Sequence, residues 1–139
     1  MNKVNNILII DDDDVSNFIY KKVIESTNSA ENITTFERAK EALEYLKDIA
    51  GNTPESFPDI IFLDINMPVM NGWQFLEHYQ EQFGESLEKR PILCMLSSSV
   101  YQEDIAKAYT YPDVKEYISK PLTSQIMNNL MIKHFSSNN

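Results

Sequence analysis

Residues 7–14 read Ile7-Leu8-Ile9-Ile10-Asp11-Asp12-Asp13-Asp14. A short apolar run that ends abruptly in acid is the pattern of a strand buried on both faces, as in a parallel sheet. The same arrangement returns at Ile60-Ile61-Phe62-Leu63-Asp64, at residues 92–96 before Ser97-Ser98-Ser99, and at Tyr117-Ile118-Ser119 before Lys120-Pro121. Between these runs the apolar spacing becomes helical. Residues 15–26 set Val15, Phe18, Ile19, Val23 and Ile24 on one helical face, with Asp13 or Asp14 available as N-cap. Residues 32–36 read as a weaker strand, and 37–49 as a helix with Ala39, Ala42, Leu43, Leu46 and Ile49 inward. Residues 51–58, with a glycine and two prolines, read as a loop. Residues 59–64 form the most apolar strand, after which Asn71-Gly72 opens a helix carrying Trp73, Phe75, Leu76, Tyr79 and Phe83 that ends near Gly84. Pro91 starts the next strand, residues 101–109 predict a helix, and Pro112-Asp113 turns into the last strand. Residues 122–134 close the chain as a helix with Leu122, Ile126, Leu130 and Met131 on one side, followed by a frayed tail at 136–139. Strands alternating with helices predict an α/β fold: a parallel sheet with right-handed crossovers and helices on both faces.

With 139 residues the chain is expected to form a single domain over 1–139, its core spanning about 4–135. Twelve basic residues against 21 acidic ones give a formal charge of -9. That balance argues against direct nucleic acid binding and against an anionic membrane surface, both of which need basic patches. No stretch is apolar and long enough to insert in a membrane, and no signal peptide is evident, so a cytoplasmic location is expected. The lone Cys94 lies in an apolar run and reads as a small buried hydrophobe. His78 and His134 stand in helical contexts without Cys or His at metal spacing and read as surface residues.

Carboxylates at the carboxyl ends of parallel strands sit where open α/β sheets bind ligands. Two such charges about 4 Å apart repel by roughly 4 kcal/mol at an effective dielectric near 20. Gathering Asp11, Asp12 and Asp64 therefore calls for a cation, and oxygen-only ligands favour Mg²⁺ or a similarly hard ion. Acid, acid, hydroxyl and lysine at four strand ends point to phosphoryl transfer.

Four blocks in this order resemble the receiver domain of two-component response regulators. They are Ile7-Leu8-Ile9-Ile10-Asp11-Asp12, Asp64-Ile65-Asn66-Met67-Pro68-Val69-Met70-Asn71-Gly72, Ser97-Ser98, and Tyr117 with Lys120-Pro121. The likeness covers essentially the whole chain. It implies a flavodoxin-like, doubly wound, five-stranded parallel sheet of order 2-1-3-4-5, in a single-domain regulator similar to the chemotaxis response regulator. In that resemblance Asp64 is the phosphoacceptor for a sensor histidine kinase or histidine phosphotransfer protein. Asp11, Asp12, Asp64 and the main-chain carbonyl of Asn66 are Mg²⁺ ligands, and Lys120 pairs with a phosphoryl oxygen. Ser97 and Tyr117 form the switch. Pro68 and Gly72 shape the loop after Asp64, and Pro121 makes the preceding peptide bond cis. The chain is not expected to be an enzyme beyond its own aspartyl phosphorylation and dephosphorylation. Its partners would include an unspecified downstream protein that reads the face built by the fourth helix, fifth strand and fifth helix, with a second copy on phosphorylation left open. Asn66 and Ser99 occupy the positions that flank the attacking water in the family. Neither is acidic or basic, so the sequence offers no local general base.

The pattern departs from the family where residues 108–114 put bulky side chains and a proline in place of a Gly-Ala pair. The loops at 51–58 and 85–90 are long for a minimal receiver and read as surface variation. Asp13 and Asp14 read as helix-capping and dipole-complementing residues. A rival reading takes Asp11-Asp12-Asp13-Asp14-Val15 as the first motif of a haloacid-dehalogenase-like phosphatase, with Asp11 as nucleophile and Asp13 as acid. It lacks the acidic residues such enzymes need downstream of Lys120 and leaves Asp64 unexplained. A third reading is a phosphorylation-independent binding module, which the full set of site residues argues against.

Overall fold

The computed structural model describes residues 3–84 and 86–136. Glu85, the first residue of the 85–90 loop, and residues 137–139 of the tail lie outside the described residues. The elements alternate without interruption. They are β1 (Val4–Ile10), α1 (Asp14–Ser26), β2 (Ala30–Phe36), α2 (Ala39–Asn52), β3 (Ile60–Asp64), α3 (Gly72–Phe83), β4 (Ile92–Ser97), α4 (Gln102–Ala108), β5 (Val114–Ser119) and α5 (Ser124–Phe135). All strand pairs are parallel, in the order β2-β1-β3-β4-β5. This is the flavodoxin-like arrangement.

Side chains alternate across each strand, so a run of apolar residues feeds two cores. Leu8, Ile10, Ile61, Leu63, Leu93 and Met95 pack beneath α2 and α3 with Ala42, Leu46, Phe75 and Tyr79. Ile7, Ile9, Ile60, Phe62, Cys94 and Leu96 pack on the other face with Ile24, Met127, Leu130 and Met131 of α1 and α5. This two-sided burial is why the central strands show no polar alternation in sequence.

The helix limits have local causes. Asp13 caps α1, accepting from Val15 N at 3.1 Å, while Asp14 sits in the first turn. Asn71 and Gln74 form a reciprocal capping box on α3, and Gly84 ends that helix with φ 43°. Thr123 caps α5 through Ile126 N. The segment read as a loop at 51–58 begins later than expected. α2 continues through Gly51 and Asn52, whose side chain donates back to Asp48 at 3.0 Å, and only then gives a 3₁₀ turn, Pro54–Ser56.

Two side-chain placements differ from the sequence reading. Val15, Phe18 and Ile19 face outward, 59%, 61% and 47% exposed, while α1 buries Asn17, Tyr20 and Ile24. His134 is not a free surface residue: its ring meets Glu116 of β5 at 2.8 Å, beside Lys133 at 2.7 Å from the same oxygen.

Gly72 fixes how closely α3 approaches the end of β3. Its N–H donates to Ile65 O at 2.7 Å. A Cβ there would stand 2.6 Å from Asp64 O and 2.8 Å from Ile65 Cα, both backbone atoms that cannot swing aside. Gly72→Ala should therefore displace the main chain carrying Asp64 and lower unfolding free energy by about 1–3 kcal/mol. Urea denaturation beside wild type checks this; an undiminished midpoint would refute the close approach.

Candidate functional site

Strand register assembles the site. Ile10 pairs with Leu63, so Asp11 and Asp64 leave neighbouring strands side by side. Asp64 pairs with Leu96 and Ser97 with Ser119, which brings Ser97 and Lys120 to the same edge. β1 has β2 on one side and β3 on the other, and the crevice at this change of direction is the ligand position in open α/β sheets. One oxygen from each of Asp11, Asp12 and Asp64 lies within 4.8 Å of the others. Asp11 and Asp64 are 2% and 5% exposed, whereas Asp12 opens to solvent. Lys120 Nζ stands 2.9 Å from Asp11 Oδ2 and 3.2 Å from Asp64 Oδ1. Its backbone N–H donates to Ser97 O at 2.9 Å, and the Lys120-Pro121 peptide bond is cis.

Three carboxylates share one ammonium, and the electrostatics follow. Burial, then the charge of Asp11, push the Asp64 carboxyl up to about 6, against the pull of Lys120. Burial alone would lower the Lys120 ammonium, but its hydrogen bond to Asp11 and the charges of Asp64 and Asp11 outweigh burial and raise it. A hard divalent cation suits this set: the donors are all oxygens, close together and partly desolvated. Asp13 and Asp14 stand apart from the cluster. Asp13 is engaged by Val15 N and by the Ser16 hydroxyl at 3.0 Å, so it is a cap rather than a phosphatase's general acid.

The walls are built from three directions. On the α1 side, Asn17 Nδ2 donates to Asp11 O at 2.8 Å. One turn on, the Tyr20 hydroxyl is held above its ordinary pKa by burial, lowered by Lys120 and raised by Asp11 and Asp64, which sets the phenol in the field of the pocket. On the β3 side, Asn66 is exposed at the start of the loop to α3. Met70 N donates to Pro68 O at 2.8 Å across Val69, which has φ 68° and is 89% exposed. A β-branched residue at positive φ in so tight a turn is strained.

On the β4 side, Ser97 is buried and its Oγ accepts from Ser99 N at 2.9 Å. Ser99 is a junction. Its Oγ donates to Asp104 Oδ2 of α4 at 2.5 Å, and its carbonyl accepts from the Tyr117 hydroxyl at 3.1 Å. Asp104 thus supplies a carboxylate that the sequence reading missed, because its partner lies in a different element. The far end of α4 is fastened as well. Lys107 Nζ sits 4.6 Å from the Trp73 ring centroid, and Tyr111 stacks on Trp73 at 6.4 Å. Arg90 grips Asp113 with two hydrogen bonds of 3.0 and 2.7 Å. These contacts account for the bulky residues at 108–114.

Sequence-predicted Asp11, Asp12, Asp64 and Lys120 converge directly, and Ser97 and Tyr117 meet through Ser99. Asn17, Tyr20 and Asp104 were not foreseen.

A family model described as the response regulator receiver domain matches residues 7–131. The crystal structure of a two-component response regulator from Cytophaga hutchinsonii is 36% identical, with TM-score 0.85 over 95% of this chain and 97% of that one. A response regulator receiver protein from Dyadobacter fermentans is 29% identical, with TM-score 0.81 over 96% and 100%. The Escherichia coli protein named Regulator of RpoS is 31% identical over 84% of this chain. The chain spans about a third or less of the curated relatives it matches, 30% of that protein and 32% of a Vibrio vulnificus protein-glutamate methylesterase.

The pH dependence of the metal-free protein should carry the signature of Asp64. Its folded pKa of about 6 lies above the ordinary 3.8, so between these values the folded state holds the extra proton. Stability from this group is then present below pH ~4 and lost as pH rises through ~6, by up to about 3 kcal/mol. The unfolding free energy of wild type minus that of Asp64→Asn should fall across this window without metal and flatten with saturating Mg²⁺. A difference that stayed level without metal would contradict the crowding described above.

Proposed function

This chain belongs to the response regulator receiver family, and we propose that within it Asp64 is the residue that takes the phosphoryl group. The observation that carries this reading is Lys120 bridging Asp11 and Asp64 beside the exposed Asp12. Of the carboxylates in the cluster, Asp64 alone ends a central strand at the crevice and carries the strongly raised pKa.

The donor is a phosphohistidine of a sensor kinase or histidine phosphotransfer protein. An Asp64 carboxylate oxygen attacks phosphorus, the P–O bond forms as the P–N bond breaks, and the imidazole leaves with the electron pair. Lys120 exchanges its contact with Asp64 Oδ1 for a phosphoryl oxygen while keeping Asp11. Asp11, Asp12, Asp64 and the Asn66 carbonyl would hold Mg²⁺, which would supply positive charge against that on the transferring oxygens. Val15, Phe18 and Ile19, exposed on the first turns after the acidic run, suit an apolar contact with the donor. We assign no chemistry beyond this self-modification, and we take the cytoplasm as its place. Among the described residues no helix is long and apolar enough to cross a membrane.

Output runs through Ser97. When its hydroxyl turns to the phosphoryl group it gives up Ser99 N, and Ser99 links onward to Tyr117 and to Asp104 of α4. A downstream protein then meets an altered face of α4, β5 and α5.

Incubation with acetyl phosphate tests the acceptor by intact mass. One phosphoryl group should be added, dependent on Mg²⁺ and lost in Asp64→Asn; an adduct on Asp11 instead would revive the phosphatase reading. The output link has its own test in hydrogen exchange of Gln102–Ala108 before phosphorylation. Asp104→Ala should exchange roughly ten-fold faster, the loss of a hydrogen bond to a charged group, while Asp104→Asn keeps the acceptor and the protection. Wild-type exchange in Asp104→Ala would remove Asp104 from the pathway.

A further inference from the structure

α1 turns a polar face to the acidic pocket, and that face holds an unbalanced group. Asn17 is only 5% exposed. Its Nδ2 is used, donating to the carbonyl of Asp11 at 2.8 Å, but among the described residues no donor reaches its Oδ1. A buried amide oxygen without a partner is disfavoured, because folding has removed its water and returned nothing. The one other orphaned buried side-chain atom among the described residues, the Tyr79 hydroxyl, belongs to a ring packed against Phe75 and Phe83 and lies in the field of Asp113 and Arg90, not of the acidic pocket. Asn17 differs in its surroundings: it grips the main chain of a site carboxylate, and Tyr20 on the same helical face feels Lys120, Asp11 and Asp64.

We infer that Asn17 is a positioning residue for the metal-binding pocket, holding the Asp11 main chain through its amide nitrogen. This rests on the reading of Asp11, Asp12 and Asp64 as a Mg²⁺ site. The nitrogen fixes where the Asp11 backbone leaves β1 and so where its carboxylate points. The unpaired oxygen is a cost tolerated for what the nitrogen does. An asparagine suits the position because it provides a donor without charge. An added aspartate would worsen the crowding of the three carboxylates, and a leucine would leave the Asp11 carbonyl unpaired. Partners of this outer kind orient the ligands they touch, and removing one weakens metal binding by about 10- to 100-fold.

The test measures Mg²⁺ affinity by isothermal titration calorimetry on the full chain, without phosphodonor. Wild type, Asn17→Ala and Asn17→Leu are compared with Ile24→Val, a buried change on the same helix that lowers stability away from the pocket. The expected result is a Kd raised about ten-fold or more in both Asn17 variants, with Ile24→Val unchanged. The rise in Tm on adding Mg²⁺ should shrink in the same two proteins. Should Asn17→Ala fail to fold, Asn17→Leu, which keeps the branching at Cγ and leaves no cavity, keeps the measurement. Wild-type Kd in a folded Asn17 variant, or an equal loss in Ile24→Val, would overturn the inference and reduce Asn17 to a structural tie. Absence of Mg²⁺ binding in wild type would instead overturn the metal site on which it rests.

Discussion

Three carboxylates and one ammonium at the dry edge of a parallel sheet form the constraint on which this molecule turns. Asp11 and Asp64 cannot move apart, because Ile10 and Leu63 are locked in register beneath them. Nor can they readily take up water, because both are buried. Lys120 answers part of the repulsion by reaching both at once. The remainder appears as the raised Asp64 pKa. A pocket left in this state favours anything that brings positive charge, and afterwards a group whose oxygens Lys120 can take over. In the proposed function, metal affinity and phosphoryl acceptance are two responses to one electrostatic excess.

The fold was largely legible because both cores are fed by uninterrupted apolar strands. Runs such as Ile60-Ile61-Phe62-Leu63 admit few other readings, and an acid or hydroxyl at each run's end marks the carboxyl edge. The residues that failed to show themselves share one trait: their partners lie outside their own element of the fold. His134 reads as a surface residue until β5 brings Glu116 beside it. Asp104 reads as an acid in the first turn of a short helix until the loop after β4 brings Ser99 to it. The positive φ of Val69 defies its residue type, since valine disfavours that region; the turn is imposed by the loop that must return the chain to Gly72 beside Asp64.

The face around α4 follows a similar logic. A seven-residue helix has little stability of its own, so its position is set by its fastenings. One lies at Ser99, bonded to the Ser97 hydroxyl, and the other at Trp73 on α3. The bulky residues at 108–114 supply that second anchor, as Tyr111 against Trp73 and Asp113 against Arg90. Moving the first fastening while the second holds would pivot α4 rather than release it.

The misread face of α1 shows how the site governs the surface. Val15, Phe18 and Ile19 lie on the side of the helix opposite Asn17, Tyr20 and Ile24, roughly 180° away at about 100° per residue. An apolar-periodicity argument assumes that the inward side meets hydrocarbon. Here the inward side meets hydrocarbon at Tyr20, Val23 and Ile24, and toward the helix start it meets a charged pocket. Turning the helix over would bury three apolar side chains, each worth roughly 1.5–3 kcal/mol. It would also strip Asp11 of the amide that holds its carbonyl and set hydrocarbon against carboxylates whose desolvation is already felt. Desolvating ions costs several kcal/mol apiece, and the turn would also expose Tyr20 and Ile24, which together offset that gain. The helix therefore keeps its polar side inward and leaves an apolar patch at the mouth of the acid site. Chemistry inside and stickiness outside have the same origin.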